Sequence, residues 1–379
     1  MVQYSNYSTD YHSSRGRMFK EIEDKNRTCF MRDRDRIIHS SGFRRLKYKT
    51  QVFVYHEQDY YRTRLSHSLE VSQLSRSISK VFGINDDLAE SISLSHDLGH
   101  TPFGHAGEEV LNEKMKNLGG FNHNFHALKI LTVLEKKYLD FDGLNLTYET
   151  LDGILKHNGP LNDNLPDYVT KFITFFNGSK NLQGSFESQV AAICDDIAYN
   201  NNDIDDGLYA GLFNIEELEE VKIVKNVLSR IKFNNDSSLK RLKYELVRKL
   251  INLMVDDLIC NTKLNIDNYN IKNSQDILEC ENPIVVLSEK MQNEEKFLRE
   301  FLKNKMYDHP KVKTMNFKAK KIVSDLFDLF VEEPYLLPIN WRKFNDDSEK
   351  FMSIADYISG MTDNFAINIH KKYFDLYSF

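Results

Sequence analysis

The sequence predicts an all-α, or at least mainly α, protein, and three observations carry that prediction. Only 7 Pro and 16 Gly interrupt 379 residues, and these are the residues that break helices. Apolar residues recur at three-to-four spacing along most long segments, which is the helical period. Alternating apolar and polar runs, the mark of half-buried strands, are scarce. Hydrophobic residues make up 41% and aromatics 12%, with 25 Phe and 19 Tyr, which is ample material for a core and argues against disorder. Cores usually stop growing at about 250 to 300 residues, so the length fits one large domain or two smaller ones.

Taken in order, "TQVFVY" (Thr50 to Tyr55) is the best strand candidate and predicts a small β-hairpin with the segment near Tyr60. "RTRLSHSLEVSQLSRSISKVF" predicts a helix carrying His67 together with Leu69, Val71, Leu74, Ile78 and Val81. A further helix is expected from Asp86 to Leu94 and another from Phe186 to Asp206. "LVRKLINLMVDDLI" (Leu246 to Ile259) and "AKKIVSDLFDLFVEE" (Ala319 to Glu333) show the same period farther on. The Asn- and Asp-rich stretches near Asn200, Asn234 and Asn265 are expected as loops or helix ends, because these side chains compete for backbone hydrogen bonds. No repeat at a solenoid period is present, and no stretch has the composition of a flexible linker. The chain divides softly into a helical core over 1–235, with a basic N-terminal segment, and a helical region over 236–379 packed on it.

Charge and cysteine usage exclude several classes. A formal net charge of -6 argues against a chain whose main work is coating nucleic acid. Cys29, Cys194, Cys260 and Cys280 are far apart and form no CxxC pair, and no signal peptide is evident, so a reducing cytoplasm is expected. No apolar run approaches the roughly 18 to 20 residues that a membrane span needs.

The chemistry concentrates in "SLSHDLGHTPFGHAGEE" (Ser93 to Glu109), which places three histidines and an aspartate within ten residues. His96 and Asp97, adjacent at a helix C-terminus, can turn toward one point, and imidazole nitrogen with carboxylate oxygen suits a divalent first-row ion. His67 is a candidate third ligand. At about 100° per residue, Asp195, Tyr199 and Asp203 share one helix face, with Val190, Ile193 and Ile197 roughly opposite, so Asp195 is the candidate fourth. A solvated surface helix would explain those carboxylates equally well in isolation. "GHTPFGHA" has the glycine spacing of a P-loop but lacks the following Lys and Ser or Thr.

These stretches resemble the HD superfamily, and their flanks resemble its dGTPase branch, the deoxynucleoside triphosphate triphosphohydrolases. The matching segments are "RDRDRIIHSSGFRRLKYKTQVF", "RTRLSHSLEV", "SHDLGHTPFGHAGE", "FNHNFHALKIL", "GILKHNGP", "DDIAYNNNDIDD" and "DYISGMTD", in family order across most of the chain. The weakest stretch is Cys260 to Lys318, where only "MYDHPKV" is familiar. The resemblance implies an HD-domain helical core and hydrolysis of a dNTP at the α-phosphate, giving a deoxynucleoside and inorganic triphosphate. It implies one divalent transition metal per active site, with manganese first and iron, cobalt, zinc or magnesium as alternatives, held by His67, His96, Asp97 and Asp195.

His105 is the expected general acid or base, since histidine alone titrates unperturbed near neutral pH. Glu108, three residues on, is placed to orient it, and by resemblance His105 and Glu108 form the catalytic pair with His123 as a further catalytic histidine. Arg64, one helical turn before His67, can reach a phosphate at the same metal; its alternative is a surface arginine. Tyr199 and Asp203 resemble residues that hold phosphate and deoxyribose, Gln51 resembles a glutamine near the sugar, and His100 is expected to face the phosphates, although some members of the family carry Asn there. Lys156 and His157 are expected on a helix surface.

The basic segment holds Arg15, Arg17, Lys20, Lys25, Arg27, Arg32, Arg34, Arg36, Arg44, Arg45, Lys47 and Lys49, read as having few compensating acids. Subunit contact or an allosteric nucleotide is favoured for it over single-stranded DNA, because the whole chain is acidic. The resemblance implies a homo-oligomer, tetramer or hexamer. Two other functions compete with the dNTP reading: a different HD-type nucleotide phosphohydrolase or phosphodiesterase, and a nucleotide-sensing or ssDNA-binding regulator on the same scaffold.

Overall fold

The computed structural model describes residues 4–52, 61–231 and 238–376. Helices dominate, and among the described residues β-structure is limited to three isolated bridges, one of them the antiparallel pair Thr50 and Thr63. That pair stands where the expected hairpin would begin; residues 53–60, which hold the rest of it, lie outside the described residues.

The central helix Arg64–Phe82 is opened by Ser66, whose Oγ accepts from Thr63 N at 3.1 Å, and closed by Gly83 in the left-handed conformation at φ 63. Its buried stripe includes His67, Val71, Leu74 and Ile78. Leu69 and Val81 fall off that stripe and are exposed. Two helices pack against it: Asp86–Ser95, capped by the Asn85 side chain, and Phe186–Tyr209, capped by Ser185. The predicted helices at Leu246 to Ile259 and Ala319 to Glu333 appear as Leu239–Asn268 and Pro310–Glu332.

Phe186–Tyr209 corrects the expectation of a break near Asn200. Asn200, Asn201 and Asn202 are buried within a continuous helix. Each finds an acceptor there: Asn200 Nδ2 donates to Glu295 Oε1 at 2.6 Å, Asn201 Nδ2 to Ile197 O at 2.8 Å and Asn202 Nδ2 to Glu70 Oε2 at 2.6 Å. Tertiary partners thus remove the competition for backbone groups at Asn200 and Asn202, while Asn201 bonds a carbonyl one turn back without breaking the helix. Asn265 lies in the last turn of its helix, and Asn234 is outside the described residues.

Three apolar clusters fill the interior. One joins the central helix to Leu239–Asn268 and to helix Glu289–Leu302, and a second surrounds helices Cys29–Ile38 and Tyr148–Leu155. The third sets Phe103, Ala106, Val110 and Leu111 against the C-terminal helices Pro310–Glu332, Asp347–Ser359 and Asp363–Phe374. Both the first and third clusters draw residues from either side of position 235. No helix among the described residues is long and apolar enough to cross a membrane.

The N-terminal basic segment is not short of acids. Arg17 pairs with Asp33, Arg27 with Asp24 and Asp35, Arg32 with Glu23, Arg34 with Asp87, and Arg36 with Glu21. Most of those carboxylates lie in the same segment. Much of its charge is spent inside the fold, which weakens a free polyanion-binding surface.

Candidate metal centre and active site

The two imidazoles and two carboxylates expected around a metal come together. His67, His96 and Asp97 are buried, and their ligand atoms all lie within 4.8 Å of one another. Asp195 Oδ1 stands 2.7 Å from His67 Nε2 and 3.5 Å from His96 Nε2. Three helices deliver them. His67 lies in the first turn of the central helix, His96 and Asp97 form a 3-10 turn at the end of Asp86–Ser95, and Asp195 lies midway along Phe186–Tyr209.

The donor set fits a divalent cation. His96 Nδ1 meets Ser93 O at 2.6 Å, so Nδ1 carries a proton and Nε2 is the nitrogen that faces the cluster, where a bound cation would take the place of its proton. His96 Nε2 and Asp97 Oδ2 are buried with no hydrogen-bond partner among the described residues. Orphaned polar atoms of this kind are costly unless something binds them. Burial pushes the Asp97 and Asp195 carboxyls up, but Arg64, His96 and His100 around the first, and His96, His157 and His67 around the second, hold both well below the usual range. Burial alone would lower His96; Asp97 and Asp195 instead raise it to about 9.

A second group adjoins the first through Asp97. His100 Nε2 lies 3.1 Å from Asp97 Oδ1, and the His100 ring stacks on His123 with centroids 4.0 Å apart. Glu108 ties this group together. Its Oε1 meets His123 Nδ1 at 2.8 Å and accepts from His123 N at 2.9 Å, while Oε2 meets His105 Nδ1 at 3.1 Å. Burial raises Glu108, yet hydrogen bonds from His105 and His123 hold it far below the carboxylate range, so it is ionised. His105 opens helix His105–Lys114 with its side chain 68% exposed. Its Nδ1 is turned to Glu108, so Nε2 faces outward. His100 is pushed well down by burial, with Arg64 and His123 adding to that, and is neutral.

The close approach of these groups depends on Gly99. A Cβ there would stand 1.8 Å from His123 O, so only glycine lets the helix His123–Lys129 lie against the His96–Asp97 turn.

The expected substrate residues gather nearby. Arg64 is no surface arginine: it is buried and its Nη1 donates to Asp97 Oδ1 at 2.8 Å. Burying a guanidinium requires such a partner. Gln51 is buried, and its Oε1 has no hydrogen-bond partner among the described residues. Tyr199 sets its ring edge-on to His67 with centroids 6.3 Å apart. Asp203 is buried one turn farther, accepts from the Tyr307 hydroxyl, and is pushed well up by burial and then by Asp206.

His157 and Lys156 correct the surface expectation. His157 Nε2 lies 3.1 Å from Asp195 Oδ2 and its ring stacks on His96 at 5.2 Å, while buried Lys156 pairs with Asp152 at 3.0 Å. The bend after Leu155 turns both inward, which periodicity alone does not reveal. Tyr307 was also missed, although it lies in the "MYDHPKV" stretch. No spacing rule links it to Asp203, 104 positions away.

Residues 64–200 match the HD domain, and residues 285–372 match the phosphohydrolase-associated domain. The chain is 46% identical to a deoxyguanosinetriphosphate triphosphohydrolase-like protein of Caulobacter sp. (strain K31), covering 98% of this chain and 96% of the relative. Proteins of the same description from Parvibaculum lavamentivorans and Brucella suis are also 46% identical, over 98% and 97% of this chain and 96% and 95% of theirs. Fold and site therefore define an HD-domain protein with a candidate metal-binding cluster. Within that class, the chain belongs to the deoxyguanosinetriphosphate triphosphohydrolase-like family.

Proposed function

We propose that this chain hydrolyses deoxynucleoside triphosphates, dGTP or several dNTPs, at the α-phosphate to give a deoxynucleoside and inorganic triphosphate. One observation carries the reading: Asp97 joins the candidate cation site, made by His67, His96 and Asp97 with Asp195 beside them, to a Glu108-braced histidine group, so a phosphate at the first would lie beside a proton-transfer residue of the second. His67, His96, Asp97 and Asp195 would hold one divalent ion per site, with manganese first and iron, cobalt, zinc or magnesium as alternatives given the mixed nitrogen and oxygen donors. Such an ion, when bound, supplies Lewis-acid polarisation of a phosphate oxygen.

The protein's own groups do the rest. Ionised Glu108 keeps protons on Nδ1 of His105 and His123, which leaves each Nε2 free to exchange a proton with the reacting groups. Both Glu108 oxygens are engaged by protein donors, which favours proton transfer over ion binding for this group. Arg64 supplies fixed positive charge at the phosphates from a buried position, and neutral His100 lines the same side. Gln51, Tyr199 and Asp203 would receive the sugar, the open Oε1 of the Gln51 amide being suited to accept from a hydroxyl.

The division into a catalytic core over 1–235 and a packed helical region over 236–379 is proposed alongside this. So are a cytoplasmic location, in keeping with four unpaired cysteines, and a homo-oligomer, tetramer or hexamer, with an allosteric nucleotide. Light scattering with and without added dNTP measures the last two.

The deciding experiment incubates purified protein with manganese and each dNTP, alone and in pairs, and resolves the products by chromatography. Nucleoside with triphosphate is expected. Monophosphate with pyrophosphate would replace this reading with a different HD-type phosphohydrolase, and binding without any turnover would leave a nucleotide-sensing regulator.

A further inference from the structure

Gln51 and His105 lie on separate segments, and one distant side chain touches both segments. Asp363, the first residue of helix Asp363–Phe374, is completely buried. Its Oδ2 accepts from Thr50 N at 2.8 Å and from the Thr50 hydroxyl, which fixes the peptide leading into Gln51. Its Oδ1 accepts from Phe103 N at 2.9 Å, two residues before His105.

The Phe103 turn needs that support. Phe103 has φ 62, a conformation that L side chains avoid because Cβ crowds the backbone. Gly104 follows with φ 58, and a Cβ there would stand 2.7 Å from Arg64 Nη2. The turn is thus pressed between a buried arginine on one side and the Asp363 carboxylate on the other. The preceding stretch is held from the same C-terminal region: Lys49 Nζ donates to His100 O at 2.5 Å and to Ser359 O at 2.8 Å.

We propose that Asp363 is a positioning residue for the hydrolytic site, a single carboxylate that sets the Gln51 segment and the His105 turn at a fixed separation. A carboxylate has two accepting oxygens, and here each serves a different segment. An amide of the same shape has only one acceptor, and its NH2 must face an N–H donor at the other segment. Because the site is buried, the donor left unmatched has no water to turn to. The proposal also gives residues 285–372 a part in the chemistry carried by residues 64–200, since Asp363 belongs to the first and acts on the second.

It rests on the dNTP reading only where turnover is measured. The test compares the full-length chain with Asp363→Asn by metal content, by hydrogen exchange around Thr50 and Phe103, and by steady-state kinetics on a dNTP. Expected are unchanged metal content, faster exchange confined to one or both segments, and a kcat lower by about 10- to 100-fold, the scale on which misplacing a catalytic group costs rate. A merely structural role would instead speed exchange throughout, including helix Leu239–Asn268. Unchanged exchange at both segments, or unchanged kcat, overturns the proposal. If Asp363→Asn does not fold, Thr50→Val decides: it removes only the hydroxyl donor, and faster exchange around Thr50 with a several-fold lower kcat is expected, whereas no change overturns it. A wild-type chain inactive on every dNTP overturns the substrate reading, and exchange around Thr50 and Phe103 then decides Asp363 alone.

Discussion

At the scale of single residues, the site separates two kinds of histidine by what their second nitrogen touches. His96 gives Nδ1 to a backbone carbonyl and points Nε2 into the cation cluster, whereas His105 gives Nδ1 to Glu108 and keeps its side chain largely exposed. The first geometry suits a ligand and the second a proton carrier. His105→Ala should therefore retain the metal while turnover falls by about 100-fold or more, the usual scale for a general acid or base. Asp97→Ala provides the contrast, since an incomplete ligand set should lose the ion. Elemental analysis and initial rates on both variants distinguish the roles; a fully metallated Asp97 variant, or near-normal rates without His105, would show that the residues are wrongly assigned.

At the scale of elements, the convergence of His67, His96, Asp97 and Asp195 was legible because each sits on a strongly periodic helix or next to its end. His67 and Asp195 could be placed on helix faces from spacing alone. The supporting residues were not legible, because they come from chain positions with no periodic relation to what they touch. Asn202 reaches Glu70 across 132 positions and His157 reaches Asp195 across 38. Asn200 misled for the same reason, since its partner Glu295 lies 95 positions away and propensity rules see only neighbours. Gly99 is the element-scale counterpart. Adding a methyl there meets the backbone of His123 and Ala127, with Cβ only 1.8 Å from His123 O and 2.5 Å from Ala127 N. Neither atom is the end of a flexible side chain, so the helix His123–Lys129 must move. Gly99→Ala should cost about 1 to 3 kcal/mol in stability, the range for overpacking, and should also displace His123 from Glu108. Urea denaturation together with kcat measures both effects, and a variant with wild-type midpoint and rate would show that the contact is relieved cheaply.

At the scale of the whole molecule, the helical class was readable from composition and period, while the way the C-terminal region reaches the candidate site was not. "DYISGMTD" could be matched as a stretch, but nothing in its spacing indicates that Ser359 and Asp363 reach the residues around Thr50 and His100. Lys49 shows what that burial does to global stability. Burial, then Arg45, lowers its ammonium from the usual 10.5 to about 7, although Asp363 pulls the other way. In the unfolded chain the same amine stays protonated up to its ordinary value. Between about pH 7 and 10 the unfolded state therefore binds more protons than the folded one, and stability rises with pH across that window. The stabilisation is fully present above the unfolded value and is lost as pH falls toward 7. One proton's difference corresponds to a slope of about 1.4 kcal/mol per pH unit at most. Denaturant titrations of wild type and Lys49→Met between pH 7.5 and 9.5, a span of roughly two units chosen inside that window, should show a positive slope that is smaller in the variant. Met has no titrating group, so identical slopes in the two proteins would mean that Lys49 remains charged in the fold.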